Sequence, residues 1–257
     1  MQLVKQLAYN FLCLFWGKTG LPRTINGYEL RLPVRYFRYF QEDYEADNIR
    51  FLQSHVAPGA VVLDVGAHIG LFSVIAAKCV GHGGHVVAYE PTPSTFRLLK
   101  HTIRINQLLD VVIPVTAAVG HETGEINFYV SDNAADNSNS LVAYKTDRKL
   151  YSVTVPLTTI DQEVKQRGLS RVDFIKIDVE GAEYDTLRGA YETLVKFKPR
   201  VILAIHPDAI AGKGDSLHAI LEELHRLPYT FTNQGNPISD AEFLSNRMLI
   251  DLHLVPR

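Results

Sequence analysis

The apolar positions of this chain fall into two alternating rhythms. Short apolar runs recur at Val61–Val65, His85–Tyr89, Val172–Asp178 and Val201–Ile205. Runs with no polar face read as strands buried on both sides. Between them, apolar residues recur every three or four positions, which is the period of a helix. The spacing predicts helices over Asp43–Val56, from Gly70 onward, from a Ser94 cap to about Asn106, and over Thr159–Gly168, 184–196 and 216–227. Further strands are predicted at Val111–Val119, Glu125–Ser131, Ser152–Leu157, Tyr229–Thr232 and Leu249–Val255, the last an antiparallel edge strand. Strands alternating with helices imply a parallel α/β sheet. The polar stretch Asp132–Ser140 reads as a long loop.

Upstream the rhythm changes. Thr24–Pro33 reads as a strand or hairpin around Asn26-Gly27. Tyr36, Phe37, Tyr39, Phe40 and Tyr44 follow, suited either to lining a sugar or aromatic site or to capping the sheet. Leu3, Leu7, Phe11 and Leu14 fall at helical spacing, with Trp16 near the end. That run is too short to span a bilayer, which needs ~20 apolar residues, and no small-residue cleavage site follows it. It is read as a helix packed on the core or as an interfacial helix touching a membrane through residues 1–20. The expected division is an extension over 1–44 and one α/β domain over 45–257.

Composition narrows the partners. With 46% of 257 residues hydrophobic, the chain can bury a full core. A net charge of −2 gives no global field to attract nucleic acid. Cys13 and Cys79 form no metal or disulfide pattern, which fits a reducing compartment and a cytoplasmic protein.

The candidate chemistry centres on Asp64-Val-Gly66-Ala-His68-Ile-Gly70. A strand running into glycines and then a helix makes a turn where a ligand can approach backbone N–H groups. The spacing is Gly-x-x-x-Gly, not the Gly-x-Gly-x-x-Gly of a pyrophosphate turn. The next strand ends in Glu90, placed to accept hydrogen bonds from ribose hydroxyls. A glycine turn with a ribose carboxylate and no pyrophosphate fingerprint suits S-adenosylmethionine. An NAD-dependent oxidoreductase is the competing reading, since Glu90 could serve that ribose too. A methyltransferase-like domain that binds without catalysis is another. A later buried strand delivers Asp178, Glu180 and Glu183 to the carboxyl edge of the sheet, where ligands of open α/β sheets bind; His206-Pro207-Asp208 follows the strand after it.

These strings resemble the FkbM family of S-adenosylmethionine-dependent methyltransferases. The matching pieces are Asp64–Gly70, Glu90-Pro-Thr-Pro93 continuing to Phe96, Leu99 and Asn106, Ala117-Ala-Val-Gly120, and Val172–Glu183. Together they cover roughly residues 45–210, in order. The resemblance implies a Rossmann-like, seven-stranded, mostly parallel sheet with helices on both faces and an antiparallel last strand. It implies methyl transfer, usually to a hydroxyl oxygen of a sugar, glycolipid, polysaccharide or macrolide-type product. It assigns Asp64, Gly66, His68, Gly70, Glu90, Pro91, Ala118 and Asp178 to the cofactor. Two positions depart from the family pattern: His68 stands where asparagine is usual, and Ala204 where many members carry glutamate.

An alcohol is a poor nucleophile, so a base or metal should help remove its proton. The candidates are Asp178, Glu180 and His206, with His206 expected as the best neutral base from its ordinary pKa near 6.5. Asp178, Glu180, His206 and Asp208 are oxygen and imidazole donors that would suit Mg²⁺ or Mn²⁺.

Overall fold

A computed structural model describes residues 11–131 and 150–257. The polar loop expected over 132–140, and Leu3 and Leu7 of the N-terminal run, lie outside these. The chain opens with a helical segment, 11–16, and the hairpin β1 (Leu21–Ile25) and β2 (Tyr28–Leu32) turning at Asn26-Gly27. A short 3₁₀ turn at Val34–Tyr36 leads to α1 (Ala46–His55). There follow β3 (Val61–Val65), α2 (Leu71–Val80), β4 (His85–Tyr89), α3 (Pro93–Ile105), β5 (Val112–Val115), β6 (Ala118–Val119), β7 (Gly124–Ser131) and β8 (Leu150–Thr158). The chain continues through α4 (Ile160–Gln166), β9 (Phe174–Ile177), α5 (Glu183–Arg188), α6 (Tyr191–Phe197), β10 (Arg200–Ile205), α7 (Pro207–Lys213) and α8 (Leu217–Arg226). It closes with β11 (Tyr229–Asn233), α9 (Asp240–Ser245) and β12 (Ile250–Pro256).

Seven strands form the main sheet in the order β11-β12-β10-β9-β3-β4-β5, with β12 antiparallel to both neighbours, so the antiparallel last strand is interior and β11, not β12, is the edge. The order reverses between β3 and β9, so a crevice opens at the carboxyl edge there. Successive strand residues point to opposite faces. Val62, Val86, Phe174 and Ile202 accordingly join one core, while Leu63, Val87, Ile175 and Leu203 join another. The first core also contains Ile25, Leu30, Leu32 and Phe40, so the N-terminal segment shares the core of the sheet domain. Asn106 fixes the hairpin by bonding both the N–H and the carbonyl of Arg31, each at 2.8 Å.

Several expectations change in detail. The run Val111–Val119 is two strands in two sheets: β5 ends the main sheet, and β6 joins β8 and β7 in a three-stranded one. The helix expected over 184–196 breaks at Gly189, where a Cβ would lie 1.9 Å from the Gly120 carbonyl oxygen. Helix α3 starts at Pro93 with Thr92 as its cap residue, leaving Ser94 inside the first turn. Proline suits that first position because its fixed φ is already helical and its missing N–H goes unused. Among the described residues no helix is long and apolar enough to cross a membrane.

Candidate active site

The turn after β3 is built by close approach. Gly66 (φ +85°) lies against β9's exit, where a Cβ would meet the Asp178 carbonyl oxygen at 1.8 Å. Gly70 (φ +88°) begins α2 over Leu99, whose Cδ1 would meet a Cβ at 2.5 Å. Both positions combine positive φ with no space for a side chain, so only glycine fits. Between them His68 also adopts positive φ, 50°. The Gly66 and Ala67 N–H groups both donate to the Tyr89 carbonyl, which ties the turn to β4.

Glu90 is buried beside this turn. One carboxylate oxygen accepts from the His68 N–H at 3.0 Å, the other from the Thr92 N–H at 2.8 Å. Each oxygen has two acceptor sites, so the group is oriented and keeps one on each oxygen. Burial pushes its pKa up to about 7 against these hydrogen bonds. The His68 ring is packed edge-on to Tyr36, with 6.1 Å between centroids. Its Nε2 is buried without a hydrogen-bond partner, and burial pushes its pKa down to about 4.

Register explains the charged cluster next door. Asp64 on β3 pairs with Lys176 on β9, and both project to the α2 face. Asp64 is fully buried, accepts from the Ser73 hydroxyl, and keeps its Oδ1 unpaired; burial raises its pKa to about 6. Lys176 is buried over the Phe72 ring, 2.8 Å from Asp178 and 3.8 Å from Glu45. Burial opposes its charge, but the surrounding carboxylates outweigh that and raise its pKa. Asp178 is likewise disfavoured as an anion by burial, and Lys176 with His206 more than compensates, holding it below the usual carboxylate range.

His206 lies between two carboxylates. Its Nδ1 is 2.7 Å from Glu183 Oε1, and its Nε2 is 3.5 Å from Asp178 Oδ1. Burial works against the imidazolium, yet Glu183, Asp178 and Glu180 raise its pKa overall. Its pKa thus lies above that of the ordinary imidazole on which the expectation of a neutral base rests. Glu183 is wholly buried, with its second oxygen unpaired. Ala204 is buried in β10 at the position where the family pattern has glutamate, and the carboxylate that meets His206 comes from α5 instead. Glu180 sits in a strained left-handed conformation, φ 44°. Burial, then the charges of Asp178 and Glu183, push its pKa up to about 8, with His206 opposing.

A cavity partly open to solvent joins these groups. Gly66, His68, Glu90, Pro91, Ala118, Lys176, Asp178 and Glu180 line it, as do Phe40, Tyr44 and Glu45 from the N-terminal segment. The aromatic cluster thus divides: Phe40 and Tyr44 face the cavity, Tyr36 buttresses His68, and Tyr39 is exposed. Asp64 and His206 stand outside the lining and act on Lys176 and Asp178. The metal donor set does not converge. Asp208 is exposed in the first turn of α7, both His206 nitrogens face carboxylates, and among the described residues no three His, Cys, Asp or Glu side chains are grouped to hold an ion. Lys176 and Glu45 escaped the sequence reading; the signal for Lys176 was a lone charge inside an otherwise apolar strand.

The donors fit an adenosyl group with an amino-acid tail. Glu90 offers two free acceptor sites to a diol, and the buried, unpaired His68 Nε2 stands in the cavity wall. A model of the Methyltransferase FkbM domain matches residues 64–231. The hexuronic acid methyltransferase AglP of Haloferax volcanii is 30% identical over 216 residues, covering 80% of this chain and 84% of that protein. The 2-O-methyltransferase NoeI of Sinorhizobium fredii is 27% identical over 184 residues, covering 65% and 72%. The chain spans only 10% of the length of the antimetabolite synthetase AmbE of Pseudomonas aeruginosa, to which it is 30% identical over 217 residues. Among solved structures, a candidate rRNA methylase from Clostridium thermocellum superposes with a TM-score of 0.54 at 11% identity, over 82% of this chain and 94% of that one, a likeness of fold alone.

Proposed function

The chain belongs to the FkbM family of methyltransferases, and on that premise we propose that it moves the methyl group of S-adenosylmethionine to a hydroxyl oxygen of a sugar. The observation that carries the cofactor is Glu90, clamped by the His68 and Thr92 N–H groups beside the Gly66–Gly70 turn. The sugar acceptor is supported by the similarity to AglP, a hexuronic acid methyltransferase, and the hydroxyl oxygen by the similarity to NoeI, a 2-O-methyltransferase.

When bound, S-adenosylmethionine supplies an electrophilic methyl group on a positively charged sulfur. The chain's residues supply placement and a proton acceptor. Glu90 orients the ribose end; the N–H groups of Gly66, Ala67, His68 and Gly70 are used within the protein, so the turn serves the amino-acid end by the room its glycines leave. Asp178, kept ionised by Lys176 and His206, is a fixed negative charge in the cavity wall. Glu180 is the proton acceptor in this reading. It lines the cavity, and a carboxylate pushed to about 8 is a far stronger base than an ordinary one. His206, held between Glu183 and Asp178, positions Asp178 and opposes the rise of the Glu180 pKa.

The test is methyl transfer from a labelled donor to free and linked hexuronic acids and neutral hexoses, with calorimetry of S-adenosylhomocysteine binding alongside. Saturable binding with label in an alkali-stable methyl ether supports the reading. Binding with no transfer to any sugar removes the acceptor class but keeps the cofactor. Absence of binding removes both.

A further inference from the structure

The first described residues carry an apolar surface that the fold leaves open. Residues 11–16 are helical, and Phe11, Leu14, Phe15 and Trp16 are all exposed, Leu14 by 79%. The aromatic rings contact each other: centroids lie 4.9 Å apart for Phe11 and Phe15, and 5.9 Å for Phe15 and Trp16. The segment is nonetheless anchored. Gly20 sits so close to α3 that a Cβ would meet Ile105 Cδ1 at 2.5 Å. His101 on α3 hydrogen-bonds the Gly17 backbone, and Arg31 donates to the carbonyls of Thr19 at 2.5 Å and Gly20 at 3.3 Å.

The anchoring places the apolar patch beside a stripe of cations. Arg97, Lys100 and Arg104 share one face of α3, since residues three, four and seven apart lie together, and His101 is four residues from Arg97 and three from Arg104. All three are exposed, as is Lys18, and none pairs with a carboxylate among the described residues. Exposed aromatic and aliphatic side chains flanked by unpaired cations are the composition of a helix that lies in a lipid interface. Rings enter the headgroup boundary, and cations meet anionic headgroups. A second copy is the poorer occupant. A two-fold interface opposes a patch to itself, so the same cations would face each other without counter-charges.

We propose that this patch docks the protein on an anionic lipid surface. The proposal is independent of the methyl-transfer reading, because it uses no residue of the cavity.

Trp16 is the only tryptophan of the chain, so emission excited selectively in tryptophan, to the red of tyrosine absorption, reports on this patch alone. The full chain is titrated with vesicles of phosphatidylglycerol mixed into phosphatidylcholine, and with phosphatidylcholine alone. Emission is expected to shift to the blue, and protein to co-sediment, only with the anionic vesicles, and less so at high salt. Leu14→Glu with Phe15→Glu is expected to abolish both signals. Lys100→Glu with Arg104→Glu is expected to weaken binding by at least roughly tenfold, since each cation near such a surface is worth about fivefold in partitioning. All four positions are exposed, and circular dichroism checks that the variants fold. The proposal is overturned by no shift with anionic vesicles, by equal binding to neutral ones, or by unchanged binding of the variants. It is also overturned if light scattering shows a dimer that Leu14→Glu converts to monomer, which assigns the patch to a second copy.

Discussion

Glu90→Gln should move stability and ligand affinity in opposite directions. In the folded chain burial raises the Glu90 pKa from 4.5 to about 7. Below 4.5 the carboxyl is protonated whether folded or unfolded. Between 4.5 and about 7 the folded chain keeps a proton that the unfolded chain releases, so stability falls as pH rises, then levels off. At ~1.4 kcal/mol per pKa unit, the ionised group costs about 3 kcal/mol at pH 8. Glutamine has the same shape and no charge, so it escapes this cost. It has only one acceptor oxygen for the His68 and Thr92 N–H groups, so one hydrogen bond of about 1–1.5 kcal/mol is lost. The net gain at pH 8 is about 1.5–2 kcal/mol, which for a chain of this length raises Tm by roughly 3–8 °C. At pH 5 the wild-type group is already neutral and the gain vanishes. S-adenosylhomocysteine should meanwhile bind about 10–100-fold more weakly, because ribose hydroxyls lose a charged acceptor worth about 1.5–3 kcal/mol. Thermal melts at the two pH values and calorimetry at pH 8 measure all three effects. A variant equally destabilised at pH 5 and pH 8, with ligand affinity unchanged, would refute the placement of Glu90 at the ribose.

Glu180→Gln should lower methyl transfer by about 10²–10⁴ while leaving S-adenosylhomocysteine affinity near wild type. In the wild type, kcat should rise with pH through about 8, because only the ionised carboxylate accepts a proton; a pH profile unchanged in Glu180→Gln would remove Glu180 as the base. Lys176→Met removes the cation shared by Asp178 and Glu45, and should cost about 3–5 kcal/mol by urea unfolding at neutral pH. An unchanged midpoint would show that the buried carboxylates do not depend on it. Glu183→Gln should lower the pKa of His206, read from its ring resonances by NMR, because the neutral amide no longer supports the imidazolium. A titration identical to wild type would break the link between Glu183 and His206.

The alternation of apolar runs and helical periods carried the sheet a long way. Val61–Val65 and His85–Tyr89 end where expected, because a buried parallel strand has no polar face to blur its limits. Periodicity was weakest where backbone packing decides. Val111–Val119 is apolar but for Thr116, a residue common within strands, so its pattern does not separate the two strands that part after Val115. The break at Gly189 depends on Gly120, a residue distant in sequence. Helix α9 was legible in principle, since Ser239 and Glu242 form a reciprocal cap at the capping-box spacing.

The site divides along the same line. Strand ends predict which side chains reach the carboxyl edge, and Glu90, Asp178 and Glu180 do reach it. Strand ends do not predict what those side chains do to one another. Asp64 and Lys176 are 112 residues apart in sequence and become neighbours only through the register of β3 and β9. Glu183 and His206 meet only because α5 begins beside the end of β10. Each meeting shifts a pKa, and pKa values bear on chemistry. Lys176 and His206 keep Asp178 ionised and thus make it a weak base, while Asp178 and Glu183 together raise Glu180 into the range of a useful one. Residue types read along the chain favour histidine as the base, because its ordinary pKa lies nearest neutrality. Assembled in space, the three differ in place as well as type: Asp178 and Glu180 line the cavity and His206 does not, and Glu180 is the proposed base because its raised pKa makes its carboxylate the more basic of the two. Among Asp178, Glu180 and His206, Glu180 alone combines a cavity position with a raised carboxylate pKa.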